Sequence, residues 1–324
     1  MSIQNRPHFW REAIALQGSV TPVIAPNVLT FGLIAAIICI TDWLAERHFQ
    51  GTLKVEVAPF EVAGAVLGLI LIARTNAGYD RWWEARKLWG GIVNQSRNLA
   101  VSALAYGPAD PAWRERFVRW AATFPHIARC CLRNEPPTPE VARLVGPEAS
   151  SEIARSPHMP SYVALVLANM LRQACDNAEM DRIAFLNVDK ERAALIDHIG
   201  ACERIVKTPM PVAYSIIIRR FIALFLLTIP FALLHRVSTD WLVPVITMFV
   251  AYPLVSLDQI GIELQNPFAV RNLSHLPLND ISDQIEKNLM GLWAINESAM
   301  GTSITPPSLD GETGTQLISV PSRG

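Results

Sequence analysis

Four apolar runs punctuate an otherwise mixed chain, and their spacing predicts helices rather than strands. No charged residue lies between Ala13 and Thr41, and the stretch NVLTFGLIAAIICI falls inside that window. A membrane-spanning helix needs about 20 such residues, so a first span is expected, beginning after Pro26. The second run, between Glu61 and Arg74, holds only twelve uncharged residues and by itself reads as a buried helix. The third, FIALFLLTIPFALLH, lies between Arg220 and Arg236, and the fourth, WLVPVITMFVAYPLVSL, between Asp240 and Asp258. Short, charge-bounded spans suit helices that face a bundle or a wet pore rather than lipid on every side.

The runs pair into two hairpins with a long middle segment between them. That segment has apolar residues at three- and four-residue spacing in PAWRERFVRWAATFPHIARCCLRN, SYVALVLANMLRQACDNAEM and ERAALIDHIGACERIVKT, which predicts helices. Asp110 is placed to cap the first of these, with Pro111 at its first helical position. EPPTPE marks a turn. No alternating strand pattern exceeds a few residues, no repeat recurs, and no glycine loop of nucleotide-binding type is present. Arg6 and Arg11 precede the first span, and Arg81, Arg86, Lys87 and Arg97 follow the second. By the positive-inside rule this places both termini and the middle segment in the cytoplasm, with Arg47 and Lys54 as opposing charges.

Composition agrees with a membrane location. The chain is 51% hydrophobic and 18% charged, against roughly 25% charged in ordinary soluble domains, and its mean hydropathy is +0.25. A net charge of −1 gives no footprint for nucleic acid. The N-terminus is amphipathic and does not read as a cleaved signal peptide. Five cysteines show neither a C-x-x-C pair nor zinc-ligand spacing, and the seven histidines are scattered without H-E-x-x-H. No serine sits in a G-x-S-x-G elbow. No catalytic residue, metal ligand set or cofactor site is therefore expected.

The segment after the second run, RTNAGYDRWWEARKLWGG, sets three tryptophans and a tyrosine among charges. Trp82 lies roughly 12 Å and Trp89 roughly 22 Å beyond Arg74 along a helix. Trp89 is therefore too deep for an interfacial belt, and the helix leaves the membrane with its aromatic face in protein. Tyr79, Trp82, Trp83, Arg86, Gly90 and Val93 follow helical spacing as one broad stripe. A core face and a contact between subunits are both open readings.

These residues carry a resemblance. RTNAGYDRWWEARKLWG resembles the signature of the prokaryotic bestrophins, GACERIVKTPMPVAYS the family's entry to its third span, and QNPFAVRNLSHLPLNDI its post-span segment. The resemblance implies an all-α, multi-pass membrane protein, with four transmembrane helices per subunit and a helical cytosolic region. It implies a homopentameric ion channel whose central pore is lined by the second span. The chain then divides into an amphipathic N-terminal segment (1–25) and a first transmembrane hairpin with the pore helix (26–77). A cytosolic helical region (78–210), a second hairpin (211–263), a cytosolic C-terminal helix segment (264–300) and a disordered tail (301–324) follow.

Counting back from the signature places the family's pore neck at Ala65, Leu69 and Ala73, with four-residue spacing on one helical face. Two alanines imply a wide neck with Leu69 at its narrowest ring. Helix packing by small residues is the plainer reading of that face. Glu61 continues it outward, where five copies would form a carboxylate ring that concentrates cations. A glutamate is also favoured in a first helical turn by the helix dipole. A cytosolic constriction falls near Ile183, and Tyr79, Trp82, Trp83 and Arg86 are expected to pack subunits together. Calcium-gated relatives carry an acidic run after Asn-Pro-Phe. Asn266-Pro267-Phe268 is followed here by AVRNLS, so that calcium site is expected to be absent.

The expected function is a chloride channel, the family default, in the cell inner membrane, with both termini cytoplasmic. Its partners are further copies of itself, the lipid bilayer and permeating monovalent ions. A cation-selective channel is the alternative that Glu61 raises. A membrane-bound enzyme and a non-conducting scaffold are alternatives of other classes.

Overall fold

The computed structural model describes residues 9–301 except 17, 50–54, 235 and 238. The tail expected beyond Gly301, and Arg6 and Lys54 of the charge argument, lie outside the described residues. The described residues form eleven α-helices in order: α1 (Phe9–Ala13), α2 (Thr21–Phe49), α3 (Ala58–Tyr106), α4 (Pro111–Arg133), α5 (Pro139–Val145), α6 (Pro147–Arg155), α7 (Met159–Asp176), α8 (Arg182–Lys207), α9 (Val212–Leu233), α10 (Val243–Glu263) and α11 (Leu278–Gly301). A 3-10 turn, Asp240–Leu242, precedes α10. Among the described residues there is no strand. Among the described residues four helices are long and apolar enough to cross a membrane: α2, α3, α9, and α10 with its leading turn.

The expected helices form, with shifted ends. α2 starts at Thr21 rather than after Pro26. The Ser19 hydroxyl accepts from Thr21 N–H and so satisfies one open donor of the first turn. α9 starts at Val212, nine residues before the apolar run, and carries Arg219 and Arg220 inside it. α4 begins as read from the sequence. The Asp110 carboxylate accepts from Ala112 N–H and Trp113 N–H, and Pro111 sits at the first position. Asn134 ends α4 in the left-handed region, φ 56°, which asparagine tolerates.

The short second run proves to be the first part of a 49-residue helix, about 74 Å long. α3 takes part in two separate cores. Leu67 and Leu71 pack with Ile218, Ile222, Phe225 and Leu226 of α9 and Ala251 of α10. From Ala85 to Leu104 the same helix enters a larger core built with α4, α5, α7, α8 and α11, and its centre is the fully buried Trp89. A division of the chain at residue 77 thus cuts through one uninterrupted helix. One continuous helix links the candidate spans to the helical body.

Candidate pore helix

The N-terminal half of α3 has two unlike faces. Glu61, Ala65, Leu69 and Ala73 are all exposed in the single chain, Leu69 at 68%. Leu67, Leu71, Arg74 and Gly78 are buried on the other side, toward α9 and α10. The four residues of the predicted neck and mouth therefore share one uncovered face. Leu69 and Ala73 also edge an apolar groove of about 320 Å³ whose opposite wall is Tyr214, Ile217, Ile218 and Phe221.

An ionic clasp holds the buried face. Arg74 is fully buried, and its Nη1 lies 2.6 Å from Asp258 Oδ1 on α10. Arg219 Nε of α9 donates to Asp258 Oδ2 at 3.0 Å, and Arg74 Nη2 donates to Ser215 Oγ at 3.3 Å. One carboxylate thus serves two guanidinium groups from two other helices. Ionisable groups in such segments usually face the bundle interior and pair with one another, as Arg74 and Asp258 do, while Arg219 reaches the carboxylate from the exposed side. Glycines permit the close approach. A Cβ on Gly261 would lie 3.2 Å from Arg74 Nε, and one on Gly78 would lie 3.1 Å from Leu264 Cβ and 3.3 Å from the Gly261 carbonyl oxygen.

Beyond the clasp, the aromatic segment alternates between inward anchors and outward rings. Arg81 Nη1 donates to the Thr208 carbonyl at 2.9 Å and Nη2 to that of Ile205 at 2.6 Å. These are open carbonyls at the C-terminus of α8, where a cation complements the helix dipole. Trp82 Nε1 donates to the Ser274 carbonyl at 2.7 Å, so this indole is an anchor within its own chain. Glu84 pairs with Arg204 at 2.8 Å. Tyr79 and Trp83 are exposed at 51% and 46% and lie with their rings nearly parallel, centroids 6.5 Å apart. Arg86 is exposed as well. The buried line of this half of the helix is Gly78, Ala85, Trp89, Ile92 and Ser96, displaced from the stripe that spacing alone proposed.

Ile183, the residue expected at a second constriction, sits at the start of α8 and is 71% exposed. After α10 the chain loses helix, and Phe268 is fully buried while the Arg133 Nε donates to its carbonyl. Asn272 Nδ2 donates to the carbonyls of Glu263 and Asn266, which folds this segment back on the end of α10. All five cysteines are free. Burial pushes the Cys202 thiol up to about 12 and the Cys131 thiol up to about 11, each helped by nearby carboxylates, so both stay protonated.

Arg219 and the roles of Arg74 and Asp258 were missed by sequence reading. In the sequence these charges bound or precede apolar runs and read as span ends. The signal available was opposite charge at the same end of two neighbouring spans.

The chain and its fold match known proteins. A family model described as bacterial/fungal bestrophin protein matches residues 1–291. A voltage-dependent anion channel-forming protein of Ralstonia nicotianae is 31% identical, over 93% of this chain and 96% of that one. A protein of the same description from Escherichia coli K12 is also 31% identical, over 90% and 93% of the two chains. The crystal structure of a bacterial bestrophin homolog from Klebsiella pneumoniae superposes with a TM-score of 0.76 at 29% identity, covering 84% of this chain and 98% of that one. The relatives are named for channel formation and not for an enzymatic activity. With the match spanning nearly all described helices, the chain belongs to the bacterial and fungal bestrophin family.

Proposed function

We propose that the chain is one subunit of a homopentameric anion channel of the cell inner membrane. Its termini and helical body lie on the cytoplasmic side. The observation that carries this reading is the two-faced α3, clasped behind by Arg74 and Asp258 and bare along Glu61, Ala65, Leu69 and Ala73. One helix cannot enclose an aqueous path, whereas a ring of copies related by a closed rotation can. The bare face then lines the pore, Leu69 forms its narrowest ring and the alanines leave it wide. Ile183 forms a second ring in the cytosolic part. The exposed Tyr79, Trp83 and Arg86, with the groove beside Leu69, supply contacts between subunits. Trp82 contributes by holding the segment in place.

Chloride as the permeant ion rests on the relatives named as anion channel-forming proteins. One observation favours a second reading. Glu61 is exposed in the first turn of α3 at the end of the bare face, and a ring of carboxylates there would draw cations. Flux of chloride, and separately of potassium, from liposomes holding the purified protein tests the proposal. Chloride flux supports it, potassium flux alone favours the second reading, and neither removes both.

A further inference from the structure

Three partly buried side chains from three helices converge in the helical body. Cys131 lies in the last turn of α4, His158 caps the N-terminus of α7, and Glu203 lies near the end of α8. One ligand atom from each lies within 4.8 Å of the others. The Cys131 thiol donates to Glu203 Oε1 at 3.5 Å, and His158 Nε2 meets the same oxygen at 2.5 Å. We propose that Cys131, His158 and Glu203 form a binding site for a borderline divalent cation of the zinc class, joining α4, α7 and α8.

The donor set selects the metal. Thiolate sulfur, imidazole nitrogen and a single carboxylate oxygen suit zinc and disfavour calcium and magnesium, which take oxygen; the Cys131 thiol, protonated in the free chain, releases its proton to solvent as the ion binds. Zinc bonds of about 2.0–2.3 Å place tetrahedral ligands roughly 3.3–3.7 Å apart. The sulfur–oxygen distance already falls in that range, and the imidazole must withdraw by about 1 Å from the oxygen to admit the ion. A fourth position is left to water.

The surroundings hold the ligands in place. His158 Nδ1 accepts from Ser161 N–H at 3.3 Å and lies 2.7 Å from Ser161 Oγ; an ion on Nε2 moves the ring proton to Nδ1, which gives up the N–H cap and donates to Ser161 Oγ instead. Lys207 Nζ takes the other carboxylate oxygen at 2.9 Å and leaves Oε1 for the site. The C-terminal ends of α4 and α8 near Cys131 and Glu203 carry partial negative charge that favours a cation, against the partial positive charge of the α7 N-terminus at His158. The His158 side chain is 35% exposed, which gives an ion a route from solvent. Glu203 lies one turn before the link from α8 to α9, so the ion would brace the base of a candidate span.

The test uses the full-length protein, purified, stripped with chelator and titrated with zinc chloride against a chromogenic indicator. One zinc per chain is expected, with excess calcium or magnesium unable to compete. Cys131→Ser and His158→Gln should each weaken binding at least about tenfold, the scale of losing a supporting group at a zinc site. Cobalt should give a thiolate-to-metal charge-transfer band in the near ultraviolet, absent in Cys131→Ser. Less than one zinc per chain, or affinity unchanged in both variants, overturns the proposal. If Cys131→Ser fails to fold, His158→Gln on the half-exposed ring decides alone. The assay reads metal binding and is indifferent to which ion the pore conducts.

Discussion

Arg74 of α3 and Asp258 of α10 form a 2.6 Å ion pair behind the bare face of α3, with Arg74 fully buried. Arg219 shares the carboxylate from α9. Removing the carboxylate strands a buried guanidinium, and breaking such a pair costs about 3–5 kcal/mol. Asp258→Asn should therefore sharply lower the thermal midpoint of the detergent-solubilised protein. Arg74→Met should cost less, because Asp258 keeps Arg219. Equal, small effects from both variants would show that the clasp does not hold α3.

Glycine at the helix crossing gives a second expectation. Gly78→Val forces carbon atoms against Leu264 and the Gly261 backbone, and such overpacking costs about 1–3 kcal/mol. Gly200 of α8 has nothing within 4 Å of its would-be Cβ, and Gly200→Ala should gain about 0.5–1 kcal/mol from helix propensity. Thermal unfolding of the two variants in the same detergent checks the contrast in sign.

A buried histidine in the helical body makes stability depend on pH. His126 is fully buried, 3.0 Å from Glu286, which Arg143 also holds at 2.8 Å. Burial lowers its pKa below the ordinary 6.5, aided by Arg129 and opposed by Glu286 and Asp283. Its folded form thus refuses a proton that the unfolded chain accepts. The contribution is complete above 6.5 and is lost as pH falls through that value toward the folded pKa. The unfolding midpoint should drop between about pH 7.5 and pH 5.5, and His126→Gln should flatten that slope.

The sequence carried the helices well because helical spacing and long apolar runs are local signals. Asp110 and Pro111 announced the start of α4 for the same reason. Faces and ends were harder. α9 begins nine residues before its apolar run, and Arg219 inside it finds Asp258, a partner 39 residues away. The aromatic stripe contained both outward Trp83 and the anchored Trp82, since spacing cannot say which carbonyl an indole will meet. Cys131, His158 and Glu203 show no metal spacing because 72 and 45 residues separate the first two from the third. Only the packing of α4, α7 and α8 brings them together.

Width and field at the bare face should separate. Leu69→Ala removes the largest side chain of the proposed neck and should raise single-channel conductance with no change in the sign of selectivity. Glu61→Gln removes charge with little change of shape. It should shift permeability toward anions most at low ionic strength, where screening is weakest. Bilayer recordings of both variants check this. A Leu69→Ala channel that conducts like the parent would place the neck elsewhere.

The most direct measurement is the reversal potential of the purified protein in a planar bilayer under asymmetric potassium chloride. An anion channel built on the bare face of α3 predicts a current that reverses near the chloride equilibrium potential, in a complex whose mass in detergent is that of five chains. Reversal near the potassium potential, or a stable monomer or dimer without current, would contradict it.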